Sequence, residues 1–310
     1  MTIRTKYLLT IVTLFTAFKL GTAVAAAVEE SRMLTWAINS APPFHVLSGP
    51  MQDKGMCDAF TDAVERALPA LYFRTTIMPQ TRIGVEFERD TKQCFPCMIY
   101  NPGQHPNVHF TEPTHWYPPH GVITTPELAE QLSQEFGNPI QLSALLESND
   151  YRFGYPDGRR FGQLQTIIDS HAGDSNYRVL RTGDDATTAI LEMIRANRVH
   201  FTIDYPALVE YDRAVAGSNM AFIPIKEVEG KQVIGAIGCT QNEWGAAMVE
   251  RINEVLPQVH QDTEFLEVLG EYYRNTPEYF NEFETLIRQH QHGSTVVPNQ
   301  SSNPPTRPFP

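Results

Sequence analysis

The residues of this chain best able to do chemistry are its four cysteines, three arginines between strand-like and helix-like segments, one aspartate and a group of histidines. Cys94-Phe95-Pro96-Cys97 has the spacing of a thiol oxidoreductase motif. Such a motif needs a helix N-terminus to lower the pKa of its first thiol. Here it runs into Met98-Ile99-Tyr100, which reads as a strand, so a redox role for Cys94 and Cys97 is only a third reading. With Cys57 and Cys239 the cysteine count is even, which in an exported chain points to disulfides. Three pairings are open from sequence, and the working expectation joins Cys57 to Cys94 and Cys97 to Cys239. Arg82, Arg159 and Arg160 stand at strand-to-helix junctions, the carboxyl edge of an α/β sheet where ligand contacts collect. Asp204, just before Tyr205-Pro206, suits a helix cap or a contact to a ligand amine. His105, His109, His115 and His120 crowd one stretch without a second C-x-x-C or a finger-spaced histidine pair, so no metal and no cofactor is expected. Neither Gly-x-Ser-x-Gly nor His-Glu-x-x-His occurs, so the chain is not read as an enzyme, and an enzyme on the same α/β scaffold is kept as the runner-up.

Before these residues comes a leader-like segment. Arg4 and Lys6 precede an uncharged run from Tyr7 to Phe18, and small residues follow around Ala25 and Ala27. A basic start, an apolar stretch of about 7–15 residues and a small-x-small end are the parts of a secretory signal peptide. The run is shorter than the roughly 20 residues that span a bilayer. Residues 1–27 are therefore expected to be cleaved and the remainder to be soluble and periplasmic. The net charge of −12 excludes the basic footprint that nucleic acid or anionic lipid requires. A hydrophobic content of 42% with 19% charged residues is that of an ordinary globular protein, which leaves small solutes as partners.

Positioning these residues requires alternating strands and helices. Leu34–Asn39, Tyr72–Met78 and Phe95–Tyr100 read as strands, with helices over Cys57–Leu68 and Arg82–Arg89 between them. Residues 101–119 are proline-rich and read as a connection. The pattern restarts at Tyr151–Tyr155 and runs through strands Tyr177–Leu180 and Phe201–Asp204. Two more strands, Met220–Ile225 and Gln232–Gly238, and three helices close the chain. Such βα repeats build parallel sheets covered by helices. The expected organisation is one lobe from 28–112 and 221–290, a second from 113–220, and a disordered tail over 291–310, poor in anything to bury.

In this order the chain carries Pro42-Pro43-Phe44, Gly55-Met56-Cys57-Asp58-Ala59-Phe60, Phe110-Thr111-Glu112-Pro113 with Trp116-Tyr117, and Asn197 to Pro206. Together they resemble family 3 of the bacterial extracellular solute-binding proteins, in a little-characterised branch sharing Asp204-Tyr205-Pro206 and Glu243-Trp244-Gly245. The resemblance implies a type II periplasmic-binding fold: two lobes, each a mostly parallel sheet, joined by two hinge crossings. It implies capture of an amino acid or related polar solute between the lobes by a monomer, for an inner-membrane transporter or sensor. Phe44 takes the place of the aromatic that stacks on the ligand, beside Trp116, Tyr117 and Tyr205. The arginine that clamps an α-carboxylate is replaced by Gln104, which lacks the charge and the fork. Gly158-Arg159-Arg160-Phe161 takes the place of the second lobe's ligand-binding segment, and Asp204 that of the acid receiving the amino group.

Overall fold

An apolar run ended by Ala41-Pro42-Pro43 forms strand β1 (Met33–Ile38). The computed structural model describes residues 32–171, 177–183 and 185–291. The expected leader lies outside them, as does the expected tail beyond Gln291. β1 pairs in parallel with β2 (Tyr72–Ile77) and β3 (Cys94–Ile99), the arrangement expected of βαβ units. The crossover helices are α1 (Met56–Ala67), which buries Phe60, Ala63 and Val64, and α2 (Gln80–Phe87), which buries Ile83 and Phe87. Three further strands lie antiparallel. β11 (Val233–Thr240) pairs with β3 and with both β4 (Val108–Phe110) and β5 (His115–Tyr117), giving a six-stranded sheet in the order β2-β1-β3-β11-β4 with β5 also on β11.

Around a second sheet the chain folds again. β6 (Gly121–Thr124) lies between β9 (Thr202–Asp204) and β10 (Ala221–Pro224), antiparallel to both. β7 (Phe153–Pro156) pairs in parallel with β8 (Arg178–Arg181), and a bridge from Phe153 to Phe201 ties this pair to the residue before β9. Helices α3 (Pro126–Phe136), α4 (Leu142–Ser148), α5 (Gln165–Ser170), α6 (Ala186–Arg195) and α7 (Ala207–Ala216) cover these strands. The chain then returns through β11 to α8 (Glu243–Val259), α9 (Thr263–Tyr272) and α10 (Tyr279–Gln291). Asn242 and Asp262 cap α8 and α9 by accepting from Gly245 N at 2.8 Å and Phe265 N at 3.0 Å.

Three expectations change. The first sheet is mixed rather than mostly parallel, because β11 enters from the second half and runs against β3, and β6 pairs with β9 and β10 only antiparallel. The boundaries also move. β5 belongs to the first sheet because Trp116 stacks on Tyr279 at 5.0 Å and donates from Nε1 to its carbonyl at 3.0 Å, while β10 ladders onto β6 in the second. The chain thus crosses between sheets after Tyr117 and again after Pro224, not at 112/113 and 220/221. Finally, the disulfides are Cys57–Cys97 and Cys94–Cys239. Cys94 and Cys239 face each other across the β3–β11 ladder with Cα atoms 4.0 Å apart. A bulge explains the rest: from Phe95 to Met98 β3 advances three residues while β11 advances two, Gly238 to Ala236. Residues three apart then share a face. Phe95 and Met98 accordingly pack in one cluster, and Cys94 and Cys97 in the other with Cys57 of α1. Strand alternation without the bulge would have split the two cysteines between faces. Peptide mapping of unreduced protein should recover these two crosslinks and no free thiol; a Cys57–Cys94 peptide would contradict the bulge.

The larger core holds two buried neutral histidines. His115 bonds the hydroxyls of Thr114 and Tyr117, and His260 Nε2 lies 3.0 Å from the Thr114 carbonyl. Burial lowers His115 to about 3 and His260 to about 4. In the unfolded chain both would titrate near 6.5, so the unfolded state takes up protons first as pH falls. The stability they contribute is complete above pH of about 6.5 and is lost on acidification towards their folded values, costing about 2 kcal/mol per histidine at a pH of about 5. The urea midpoint should therefore fall between pH values of about 7 and 5, and less steeply in His260→Gln. An equal slope in the variant would contradict this origin.

Candidate functional site

Between the two sheets lies a cavity of about 380 Å³. Its first wall comes from the loop after β1 (Asn39, Phe44, His45), the start of α2 (Gln80), and β3 with the loop that follows it (Met98, Ile99, Asn101, Gln104, His105). Tyr117 stands at the crossing, and Gly158, Arg159, Arg160, Gln165 and Tyr205 form the opposing wall.

Phe44 is fixed by the N-terminus of α1. Its carbonyl accepts from Cys57 N at 2.9 Å, and the Pro43 carbonyl accepts from Met56 N at 2.9 Å. Asp58 in the first turn completes the clamp: one oxygen accepts from Val46 N (2.9 Å) and Gly55 N (3.0 Å), and the other lies 2.7 Å from His45 Nδ1. The approach is so close that a Cβ on Gly55 would sit 2.1 Å from the Phe44 oxygen, so only glycine fits there. The Phe44 ring thus meets Tyr117 and Tyr205 edge-on, at 5.4 and 5.5 Å.

Facing it is an ion pair. Arg159, in the turn after β7, reaches Asp204 at the end of β9 with Nη2 to Oδ1 at 2.5 Å. The Asp204 carboxylate also accepts from Tyr205 N at 2.8 Å. Burial pushes the Asp204 carboxyl up, opposed by the guanidinium and this amide. The Arg159 guanidinium lies 5.4 Å from the Phe44 ring centre and 5.8 Å from that of Tyr205. Gly158 brings the turn across: at φ +74° it occupies backbone space that glycine favours, and a Cβ there would lie 3.0 Å from Thr81 Cγ2 of α2. His120 packs on Tyr205 with ring centres 4.0 Å apart, held neutral by burial and then by Arg159.

Of the residues singled out from sequence, Phe44, Gln104, Tyr117, Arg159, Arg160 and Tyr205 line the cavity. Four do not. Arg82 is exposed on α2 and bonds Glu86 one turn on, at 2.6 Å. Trp116 is engaged by Tyr279 in the core. Phe161 is fully buried in the second core, among Phe153, Tyr155 and His120. Asp204 is buried, paired with Arg159, and is not among the residues that line the cavity. The wall adds Asn39, Gln80, Asn101 and Gln165, amides that leave no charge or periodicity to read from sequence. Gln80 nevertheless sits at the same junction that drew attention to Arg82. His105 also lines the wall, its pKa lowered by burial and by Arg160.

No family model matches the chain, and no curated protein does. Solved structures do. An amino-acid ABC transporter substrate-binding protein from Streptococcus pneumoniae, bound to L-arginine, matches at 10% identity over 81% of this chain and 97% of that one, with a TM-score of 0.58. A Salmonella typhimurium periplasmic binding protein of high arginine specificity matches at 13% identity over 76% and 97%, with a TM-score of 0.54. A histidine kinase sensor domain with similarity to periplasmic binding proteins matches at 11% identity over 77% and 95%, with a TM-score of 0.56. The chain therefore has a periplasmic-binding-protein-like α/β fold.

Removing Arg159 leaves a buried carboxylate without its partner, a loss of about 3–5 kcal/mol. Arg159→Ala should lower unfolding free energy by that amount, and Arg159→Ala with Asp204→Asn should restore much of it. Equal stability of the single variant and the wild type in urea would show that the pair is not formed.

Proposed function

We propose that the protein is an exported, family 3-like solute-binding protein whose two halves act as lobes closing on a small polar solute, then presented to a membrane transporter or sensor. One observation carries this reading: the cavity between the sheets is walled from both sides by aromatic rings, amides and guanidinium groups. Sites of this kind combine an apolar body with a few placed polar groups. Phe44, Tyr117 and Tyr205 supply the apolar faces, with Gln104, Arg159 and Arg160 as polar contacts. Both kinds of membrane partner are represented among the similar structures, in transporter-linked proteins and a kinase sensor domain. Export is supported by the basic and apolar N-terminal pattern. No helix among the described residues is long and apolar enough to cross a membrane. The cysteines of the C-x-x-C sequence are committed to separate disulfides, so the redox reading has no dithiol pair to use.

Solute bound to the folded state raises apparent stability as RT ln(1 + [L]/Kd). Mass spectrometry of the solute that copurifies from the cell envelope, followed by melting with that solute added, tests the proposal. The expected result is a Tm that climbs with the logarithm of concentration while the solute is recovered unchanged. Chemical conversion of the solute would replace binding with catalysis.

A further inference from the structure

The cavity wall has an uneven charge. Its residues include two arginines and no aspartate or glutamate. Arg159 is already neutralised by Asp204, and its guanidinium covers the Phe44 and Tyr205 rings. Arg160 differs: it is exposed at the cavity, and no ion pair or hydrogen bond joins its side chain to any described residue. Among the described residues, the cavity therefore presents one uncompensated guanidinium. His45 Nδ1 is tied to Asp58. His105 lies close enough to Arg160 for its charge, together with burial, to favour the neutral ring. Around this positive point the wall offers amides and the apolar faces of Phe95, Met98 and Ile99. The Tyr205 hydroxyl is buried without a partner.

An α-amino acid would bring an ammonium group into this setting. No lining carboxylate is there to receive it, Asp204 is paired with Arg159, and the Phe44 and Tyr205 rings already carry that guanidinium. The ammonium would instead meet the field of Arg160. A carboxylate alone has the opposite fortune, because a guanidinium fork matches its two oxygens.

We infer that the solute is a carboxylate with an apolar body and no α-ammonium group, its acid held by Arg160 and its body laid against Phe95, Met98 and Ile99. This rests on the solute-binding reading and narrows it to organic acids rather than amino acids.

The test is calorimetry at neutral pH with matched probes. These are phenylalanine, hydrocinnamate and phenethylamine; leucine, isocaproate and isoamylamine; and, as outgroups, inorganic phosphate and glucose. The expected result is that hydrocinnamate or isocaproate binds at least tenfold more tightly than its amino acid, its amine or either outgroup. Arg160→Ala should weaken that binding at least tenfold, and Arg160→Lys should recover part of it through charge without the fork. Preference for an amino acid, an amine, phosphate or glucose would overturn the inference and leave the binding reading standing. So would an acid that binds Arg160→Ala within threefold of wild type. Failure of every probe to bind overturns the inference. The binding reading then falls only if no solute copurifies as well.

Discussion

The ion pair between Arg159 and Asp204 sets the character of the whole site. Both groups are held where water cannot compensate for a lost partner, Asp204 with its side chain 2% exposed and Arg159 with 16%. Pairing removes an acid and a base from the cavity's charge balance together. It also places the guanidinium over the Phe44 and Tyr205 rings, so that loops from opposite sheets meet through one cation and two rings. What remains facing the cavity is Arg160, the amides and the apolar walls. The chemistry open to a solute follows from what this pair takes away.

Around that contact the fold works by bringing loops rather than regular elements to the cavity. β1 stops at prolines, and the α1 N-terminus and Asp58 then hold Phe44 with main-chain bonds. β7 stops at Pro156, and the glycine turn carries Arg159 and Arg160 across. The larger apolar core is continuous from α1 and α8 to α6 and α7. The connection between the halves is thus packed as well as covalent, and any opening motion must slide or rotate about that packing while the loops part. Gly158 of the second half packs against Thr81 of the first across the cavity.

Much of this was legible in the sequence because it is local. Apolar runs broken by proline gave β1, helical stripes gave α1 and α6, and strand-to-helix junctions pointed to Arg159 and Arg160. The same rule pointed to Arg82, whose side chain instead lies on the exposed side of α2, paired with Glu86 one turn on. Trp116 and Phe161 look like ligand aromatics until long-range partners, Tyr279 and Phe153, claim them. The disulfide pairing was hidden for a related reason: a single inserted residue in β3 changes which cysteines share a face, and no composition signal announces a bulge. Residues 121–148, which form β6, α3 and α4, fall outside the elements read from sequence, although Thr125-Pro126 and the stripe of Leu128, Leu132 and Phe136 mark the start and face of α3. The amides of the wall were silent because polar uncharged residues look alike in a loop and in a site.

The most direct test of the account is a crystal structure of the protein with its copurified solute. The account predicts density in the cavity between the sheets, touching Phe44 from one side and the Arg159-Arg160 turn from the other, with the Arg159–Asp204 pair intact. Density held by one half alone, or a solute bound away from this cavity, would contradict it.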